Sequence, residues 1–282
     1  MSAPRGGTAP ASHRALGRRA RASLLAVGRR LLLAIALPVA LVAVWWVLTA
    51  NSTSFFWPPL SSILRAFPDT WFGDRITTDV LPSLGRLASG YLLAVVLGVA
   101  MGIPIGLSPV LRALTEPTLE FFRAIPPPVL VPVIALFAGY TGSASKVITI
   151  ALGCLWPVLL NTVEGVRAVD EVLLDTARCY HLSRRSRVLH VILRGASPQI
   201  AAGARQALSI AVILMVISEL FGANHGLGAT VVQFQRGFAI PQMWTGIIVL
   251  GLLGVALSAI FRIVEHFALA WYRGLRDADP GA

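Results

Sequence analysis

The chain has 282 residues, of which 56% are hydrophobic and 13% charged, and its mean hydropathy is +0.74. Soluble domains typically carry about 45–50% apolar and about 25% charged residues, so this chain has too little charge to cover a soluble globule of its size. The composition therefore indicates an integral membrane protein. Two cysteines exclude a disulfide framework and argue against a cysteine-based metal site.

The net charge of +11 follows the pattern of a membrane protein and argues against a nucleic-acid partner. Every basic residue except Lys146 is an arginine, and the arginines lie in short blocks between apolar runs. Seven of them precede the first apolar run and six lie in the segment 163–203. Loops on the cytoplasmic side of a membrane carry such an excess of positive charge. The bilayer is therefore the expected partner of these charges.

Six apolar segments approach or reach the length needed to cross about 30 Å of hydrocarbon. The predicted spans lie near 31–49, 87–107, 119–140, 146–162, 204–221 and 244–264. Six crossings place both termini on one side, and the arginines make that side cytoplasmic. The sequence thus predicts an all-α protein of the cell membrane, with a disordered arginine-rich cytoplasmic tail at 1–30, a transmembrane domain at 31–270 and a cytoplasmic tail at 271–282.

The first span has an alternative interpretation as a cleaved signal peptide, because basic residues precede its apolar core. Signal cores run about 7–15 residues, whereas 31–49 has about the length of a span. Trp45 and Trp46 near its outer end are typical of interfacial anchors. These features favour an anchored helix.

The segment 50–86 predicts a short amphipathic helix in the membrane interface, interrupted by Pro68. Three carboxylates follow at intervals of five residues: Asp69, Asp74 and Asp79. Because this spacing does not place them on one helical face, we expect them to be solvated loop residues.

Prolines interrupt the third predicted span. Arg123 is followed by three consecutive prolines, Pro126, Pro127 and Pro128. Each proline removes a backbone donor, and in lipid such a break survives only where protein or a water-filled cavity covers the freed carbonyls. Arg123, Pro126 and Pro127 are therefore candidates for a transport pathway; the alternative is a kinked packing helix.

The fifth predicted span carries an acidic residue near its outer end. Met215, Ser218 and Glu219 complete the set of pathway candidates, because intramembrane carboxylates usually face the interior of a helix bundle or a cavity. Alternatively, Glu219 reaches water or bonds the backbone near Gly226 and Gly228.

The segment 163–203 predicts two short amphipathic helices with a tight corner between them. Asp170 opens the first helix, on which Leu173, Ala177 and Tyr180 form a narrow apolar face. Ser183 is a suitable cap for the second helix. Pro198 is expected to interrupt the chain before the next span. Such a pair is typical of a docking element for a soluble partner; the alternative is a surface helix pair held to anionic lipid.

Within this segment, the run from Asp175 to Arg185 resembles the EAA loop, the signature of permease subunits of binding-protein-dependent ABC importers. Other blocks resemble the nitrate/sulfonate/taurine branch of that family. These blocks are Ser83-Leu84-Gly85-Arg86 with Gly90, Gly98 to Gly106, Arg123-Ala124-Ile125-Pro126, Trp156-Pro157 to Asn161-Thr162 with Gly165, Gly203-Ala204-Arg205, and Glu219 with Gly226-Leu227-Gly228.

The resemblance implies the type I ABC importer permease fold and a chain without catalysis or cofactor. It implies three partners: an ABC ATPase, an extracytoplasmic solute-binding protein and a second permease chain, expected to form a homodimer. The residues implied to contact the ATPase are Leu173, Asp175, Thr176, Ala177, Arg178, Tyr180, His181, Leu182 and Ser183. The implied cargo is a sulfonate, taurine or nitrate, with a thiamine-precursor pyrimidine as the alternative.

Two departures from the family pattern concern the corner. His181 replaces a glycine, and Arg194 replaces a proline. Glycine at a helix end usually supplies a left-handed residue, a conformation that histidine also adopts at some cost. Either the corner keeps its shape with a left-handed His181, or the two helices join differently. A channel or a membrane enzyme with a degenerate coupling loop is the alternative in that second case. The only lysine, Lys146, lacks the glycine-rich context of a nucleotide-phosphate loop, which supports a separate ATPase.

Overall fold

The computed structural model describes residues 35–272 and residue 274, and every element in that part of the chain is helical. This confirms the all-α prediction for the described residues. The predicted tail at 1–30, the first residues of the span at 31–49 and most of the tail at 271–282 lie outside them. The chain divides between Leu64 and Arg65 into two compact units, which are described separately.

The first unit contains helix α1, Ile35–Thr49, and the start of α2, Leu60–Trp71. The Thr49 hydroxyl donates to the carbonyl of Trp45 at 2.8 Å and accepts the Leu60 N–H at 3.3 Å, which joins the two helices. The predicted interruption at Pro68 is wrong, because α2 continues through it and the N–H of Phe72 bonds the Pro68 carbonyl at 3.0 Å.

The second unit begins with a π-helical turn at Ile76–Val80 that leads into α3. Its helices are α3 (Leu81–Leu107), α4 (Pro109–Ala124), α5 (Leu130–Ala138), α6 (Ser143–Arg167), α7 (Glu171–Cys179), α8 (Arg184–Arg187), α9 (Leu193–Leu220), α10 (Leu227–Arg236) and α11 (Ile240–Ala268). Four stretches in the described part of the chain are long and apolar enough to span a membrane, containing α3, α6, α9 and α11. They correspond to four of the predicted spans. Helix α10 was not predicted.

The third predicted span is a bent pair of helices. α4 and the stretch Pro127–Ala138 meet at 76°, so the pair is a fifth crossing only if both helices serve as one span. The segment 108–117, which lies between two predicted spans, is helical from Pro109, because the Ser108 hydroxyl caps α4 by accepting the N–H of Leu111 at 3.2 Å. The bend falls at the three consecutive prolines, which cannot donate to a continuous helical ladder.

Helix α6 packs against both α3 and α9 and forms the centre of this unit. Glycines on α3 permit the close approach of α6. A Cβ atom at Gly98 would lie 2.8 Å from the Val158 side chain, and one at Gly102 would lie 2.6 Å from the Thr162 side chain. Small residues at such positions let membrane helices pack with their backbones close together.

The second helix of the 163–203 segment is continuous with the fifth span. α8, a π-helical turn at Val188–Ile192 and α9 form one stretch from Arg184 to Leu220, so the predicted interruption at Pro198 is wrong. Pro198 leaves the carbonyl of Arg194 without its helical donor, and the Ser197 hydroxyl donates to that carbonyl at 2.8 Å instead. The second helix of this segment and the fifth span are therefore one continuous helical stretch.

Candidate transport pathway and coupling loop

A cleft of about 330 Å³ lies where the bend between α4 and α5 faces α6 and α9. Two predicted pathway residues, Arg123 and Pro127, line it. The other lining residues are Gly153, Trp156, Pro157, Leu160, Asn161, Glu164, Gln206 and Ile210. The cleft thus combines the Arg123 guanidinium, two amides and the Glu164 carboxylate with apolar walls. Because Glu164 pairs with Arg167 at 2.7 Å, Arg123 is the lining group suited to a small ligand that carries negative charge.

Two contacts hold the bend against α6. The ring of Phe122 stacks on that of Trp156, with centroids 5.6 Å apart and planes at 3°. Gly153 leaves room for the proline bend, since a Cβ atom there would lie 3.0 Å from the Cβ of Pro127. The position of Arg123 at the cleft therefore depends on packing between α4 and α6.

The other predicted pathway residues lie elsewhere. Pro126 is in the extended part of the bend, outside the cleft lining. Met215 and Ser218 are buried on α9, where the Ser218 hydroxyl donates to the Met215 carbonyl at 3.0 Å. Glu219 belongs to a separate polar cluster at the opposite end of α9 from the coupling loop.

That cluster, called here the outer cluster, consists of Ser83, Arg86, Glu219 and the backbone of 225–228. The Ser83 hydroxyl lies 2.7 and 2.9 Å from the two carboxylate oxygens of Glu219. The Arg86 guanidinium donates to the same carboxylate at 2.8 Å and to the His225 carbonyl at 2.8 Å. Glu219 is 1% exposed. Every oxygen of this buried carboxylate is therefore hydrogen-bonded.

The loop between α9 and α10 closes over the same carboxylate. The N–H of Gly228 donates to Glu219 at 2.9 Å, and the N–H of Leu227 donates to the Ser83 hydroxyl at 2.9 Å. Gly226 has φ +133°, and a Cβ atom there would lie 2.5 Å from the Glu219 carboxyl carbon. Glycine is therefore required at this position, both for its backbone conformation and for space. Of the two interpretations of Glu219, the structure therefore agrees with the second, in which the carboxylate bonds the backbone near Gly226 and Gly228.

Asp79 also differs from the sequence-based expectation of a solvated carboxylate. It is 5% exposed, accepts the N–H of Gly226 at 3.2 Å and pairs with Arg75 at 3.3 Å. Asp69 and Asp74 are exposed, as expected. The shared site of Asp79, Ser83 and Arg86 was not predicted from the sequence. Their positions i, i+4 and i+7 on one helical face are the signal that could have indicated a shared site.

The coupling corner, residues 170–183, consists of α7 and the ordered turn that follows it. Asp170 caps α7 by accepting the N–H of Val172 at 2.8 Å. At the other end the N–H of Leu182 bonds the Ala177 carbonyl at 3.0 Å, and the N–H of His181 bonds the Arg178 carbonyl at 2.9 Å. This pair of bonds is a Schellman motif. His181 has φ +50°, which confirms the left-handed alternative.

The predicted ATPase contacts in this corner differ in exposure. Leu173 and Tyr180 are 55% and 77% exposed, whereas Ala177 is 3% exposed and therefore packs within the chain. Asp175 and Arg178 form an exposed ion pair at 2.7 Å, and Thr176 donates to the backbone of its own helix. The remaining predicted contacts are His181, Leu182 and Ser183, of which Ser183 caps α8 by accepting the N–H of Ser186 at 3.3 Å.

An apolar cluster anchors this corner to the ends of the spans. Val166, Ile192 and Ala196 form its buried centre. The half-buried residues packed around them are Ile103, Leu174, Val188 and Ile200. α7 thus packs against the end of α6 and the residues that lead into α9. This packing fixes the position of its exposed side chains.

Residues 94–268 match the family model of the inner membrane component of binding-protein-dependent transport systems. The match covers well over half of the chain. The chain belongs to this family. It is a multi-pass inner-membrane permease subunit and does not itself carry the catalytic ATPase activity of such systems.

Relatives of this permease support the assignment over most of its length. A Bacillus subtilis (strain 168) protein described as an aliphatic sulfonates transport permease, SsuC, is 30% identical over 83% of this chain and 86% of its own length. The taurine transport system permease protein TauC of Escherichia coli (strain K12) is 28% identical over 87% of this chain and 92% of its own length.

Solved structures share the fold of the permease. The MetNI methionine ABC transporter in inward facing conformations aligns with a TM-score of 0.56 over 67% of this chain and 94% of the other, at 19% sequence identity. This likeness concerns the fold alone. It confirms the type I ABC importer permease fold that the sequence resemblance implied.

Proposed function

We propose that this permease forms, with a second copy of itself, the pathway by which a small sulfonate, taurine or nitrate enters the cell. An extracytoplasmic solute-binding protein delivers the cargo, and a separate ABC ATPase drives the transport cycle. The names of the relatives SsuC and TauC support a sulfonate or taurine, whereas nitrate rests on the sequence resemblance. The coupling corner is the single observation that carries the mechanism, because it combines an ordered turn with exposed apolar side chains.

In this mechanism Leu173 and Tyr180 enter a groove on the ATPase. Both are large side chains left exposed by the fold, and tyrosine is among the residue types that dominate binding energy at interfaces. α8 and α9 are continuous from Arg184 to Leu220. A displacement of the corner by the ATPase therefore also moves the fifth span. The movement would open and close the cleft at Arg123, since Gln206 and Ile210 of α9 form part of its lining.

Co-purification tests the docking step. We expect affinity-tagged permease in mild detergent to retain an equimolar Walker-motif ATPase, and Tyr180→Ala to lower its retention about tenfold, equivalent to about 1.4 kcal/mol. Phe72→Ala is the control, because Phe72 is similarly exposed at 74% but lies far along the chain from the corner. Unchanged retention by Tyr180→Ala would contradict the docking assignment. Ala177→Asp is unsuitable here, because a charge at this buried position would disturb the corner itself.

An anionic cargo would contact Arg123 in the cleft between the bend, α6 and α9. We expect Arg123→Gln to reduce uptake of taurine, an alkanesulfonate or nitrate at least about tenfold, and Arg123→Lys to reduce it less, because lysine preserves the positive charge but not the paired donors of the guanidinium. Uptake is measured in cells that also express the binding protein and the ATPase. Transport of a thiamine-precursor pyrimidine, and of none of these anions, would contradict the cargo while leaving the docking step intact.

The proposed topology has six crossings with both termini in the cytoplasm. The crossings are α1, α3, the bent pair α4 and α5, α6, α9 and α11. The six arginines of the segment 163–203 support the placement of the coupling corner in the cytoplasm. Cysteine accessibility offers a direct check, since Cys179 is exposed in that corner and Cys154 is buried. A membrane-impermeant thiol reagent should label Cys179 from the cytoplasmic side only.

A further inference from the structure

A second polar cleft lies between α9 and α11, outside the proposed pathway. Its volume is about 290 Å³. It is lined by Arg205, Arg262, Glu265, His266, Leu269 and Tyr272. Arg205 forms an ion pair with Glu265 across the two helices. Arg262 donates only to the carbonyl of Ser258 on its own helix, at 3.3 Å, and makes no ion pair among the described residues. The cleft therefore carries one uncompensated positive charge.

The depth of this cleft matches a membrane surface. Arg262 lies 22 residues after Ile240, the start of α11, which is about 33 Å at 1.5 Å per helical residue. This distance is close to the thickness of the hydrocarbon core, about 30 Å. Trp271 and Tyr272 follow shortly after the end of α11 at Ala268, and such aromatic residues are typical of the interface. The cleft thus opens at the membrane face from which α9 continues toward the coupling corner.

Exposed apolar side chains precede the uncompensated charge along α11, in the direction of the hydrocarbon core. Val255 lies two turns before Arg262 on the same face of the helix and is 65% exposed, and Leu252, one turn further on, is 59% exposed. A free inorganic anion would use the guanidinium but none of this apolar surface. A phospholipid would use both, with its phosphate at Arg262 and its acyl chains along α11. Basic pockets between membrane helices at such a surface bind anionic headgroups.

We propose that the cleft between α9 and α11 binds the phosphate of an anionic phospholipid. The lipid would bridge the two helices beside the ion pair of Arg205 and Glu265. Because α9 also carries the coupling corner, a bound lipid would stabilise the packing of the moving helix against α11. The lipid acts here as a bound ligand at a defined site, in addition to being the solvent of the spans.

Native mass spectrometry of the full-length permease, with the partners that co-purify, tests this proposal. Protein exchanged into detergent containing phosphatidylglycerol should retain the lipid, and Arg262→Gln should lower its occupancy about tenfold. Arg194→Gln is the matched control, because it removes the same charge from an exposed position on α9 outside the cleft. Equal occupancy in wild-type protein and Arg262→Gln would overturn the proposal.

A variant that is expected to increase lipid occupancy distinguishes loss of the site from misfolding. Glu265→Gln frees Arg205 from its ion pair and raises the net charge of the cleft, so it should increase phosphatidylglycerol occupancy several-fold. Unchanged or lower occupancy in a folded Glu265→Gln variant would overturn the proposal.

Two further experiments identify the ligand and test whether a second permease chain covers this face of α11. Displacement of the lipid by millimolar inorganic phosphate, or equal retention of zwitterionic phosphatidylcholine, would show that an anionic lipid is not selected. Val255→Cys in a Cys179→Ser background tests the competing occupant, because Val255 lies on the same face of α11 as Arg262. Efficient disulfide cross-linking between two such chains in membranes would place a second copy on this face and would overturn the lipid site; a monomeric product supports it.

Discussion

The outer cluster and the coupling corner both fix the chain with short polar contacts, but they do so in different ways. The outer cluster brings together the start of α3, the end of α9 and the start of α10, and its carboxylate is 1% exposed. The coupling corner uses bonds within residues 170–183, mostly between backbone groups, and its Asp175–Arg178 ion pair is exposed. One depends on tertiary burial and the other on local backbone geometry.

This difference sets the energetic consequences of substitution. Removing one partner of a buried ion pair leaves an uncompensated charge and typically costs about 3–5 kcal/mol. An exposed ion pair contributes about 0–1 kcal/mol, because water solvates both partners. The outer cluster should therefore hold the second unit together, whereas the coupling corner should tolerate changes and remain available for contacts with a partner.

The largest expected effect is that of Glu219→Ala. It leaves Arg86 beside the carbonyl of His225 with a side chain only 11% exposed, and we expect the free energy of unfolding to fall by about 3–5 kcal/mol, or about 10 °C in Tm. Thermal unfolding in detergent, followed by tryptophan fluorescence, measures it. Asp175→Ala is the control, since it removes a carboxylate from an exposed pair of similar length. Equal shifts in the two variants would show that the outer cluster has no special role.

Ser83→Ala should have an intermediate effect. The hydroxyl contacts both carboxylate oxygens and accepts the N–H of Leu227, so its loss leaves buried groups without a partner, at a cost of about 1–3 kcal/mol. The matched control is Ser89→Ala, whose hydroxyl donates only to the Gly85 carbonyl at an exposed position on the same helix. The two unfolding midpoints are compared under identical conditions. A smaller shift for Ser83→Ala than for Ser89→Ala would contradict the described network.

The same contrast explains what the sequence could predict. The helix start at Asp170 and the cap at Ser183 depend on neighbours within a few residues, so the sequence pattern was sufficient to predict them. For His181 the pattern left two alternatives open, and the structure has the left-handed one. The outer cluster required knowledge that Ser83 and Glu219, separated by 136 positions, meet in space. No pattern within one segment contains that information.

The same limit applies to the helices and to the cleft. Four of the six predicted spans correspond to single long apolar helices, because length and hydropathy are local properties. The continuity of the helix through Pro198 was not predicted. The Ser197 hydroxyl replaces the missing backbone donor, and the general tendency of proline to interrupt helices does not take such a side-chain bond into account. Arg123 was singled out by its proline neighbours, whereas Gln206 entered the cleft lining only through the packing of α9 on α6.

The smallest expected effect is that of His181→Gly, and its sign is informative. A left-handed backbone costs a non-glycine residue about 1–2 kcal/mol, and the greater chain entropy of unfolded glycine offsets about 0.5–1 kcal/mol of the gain. We therefore expect a net stabilisation of about 0.5–1 kcal/mol, with ATPase retention unchanged, measured by thermal unfolding and co-purification. His181→Val is the control in the other direction, because a β-branched side chain is disfavoured at positive φ. If His181→Gly instead lost the ATPase while remaining folded, the imidazole itself would contact the partner, and the corner would recognise the ATPase through a side chain as well as through its shape.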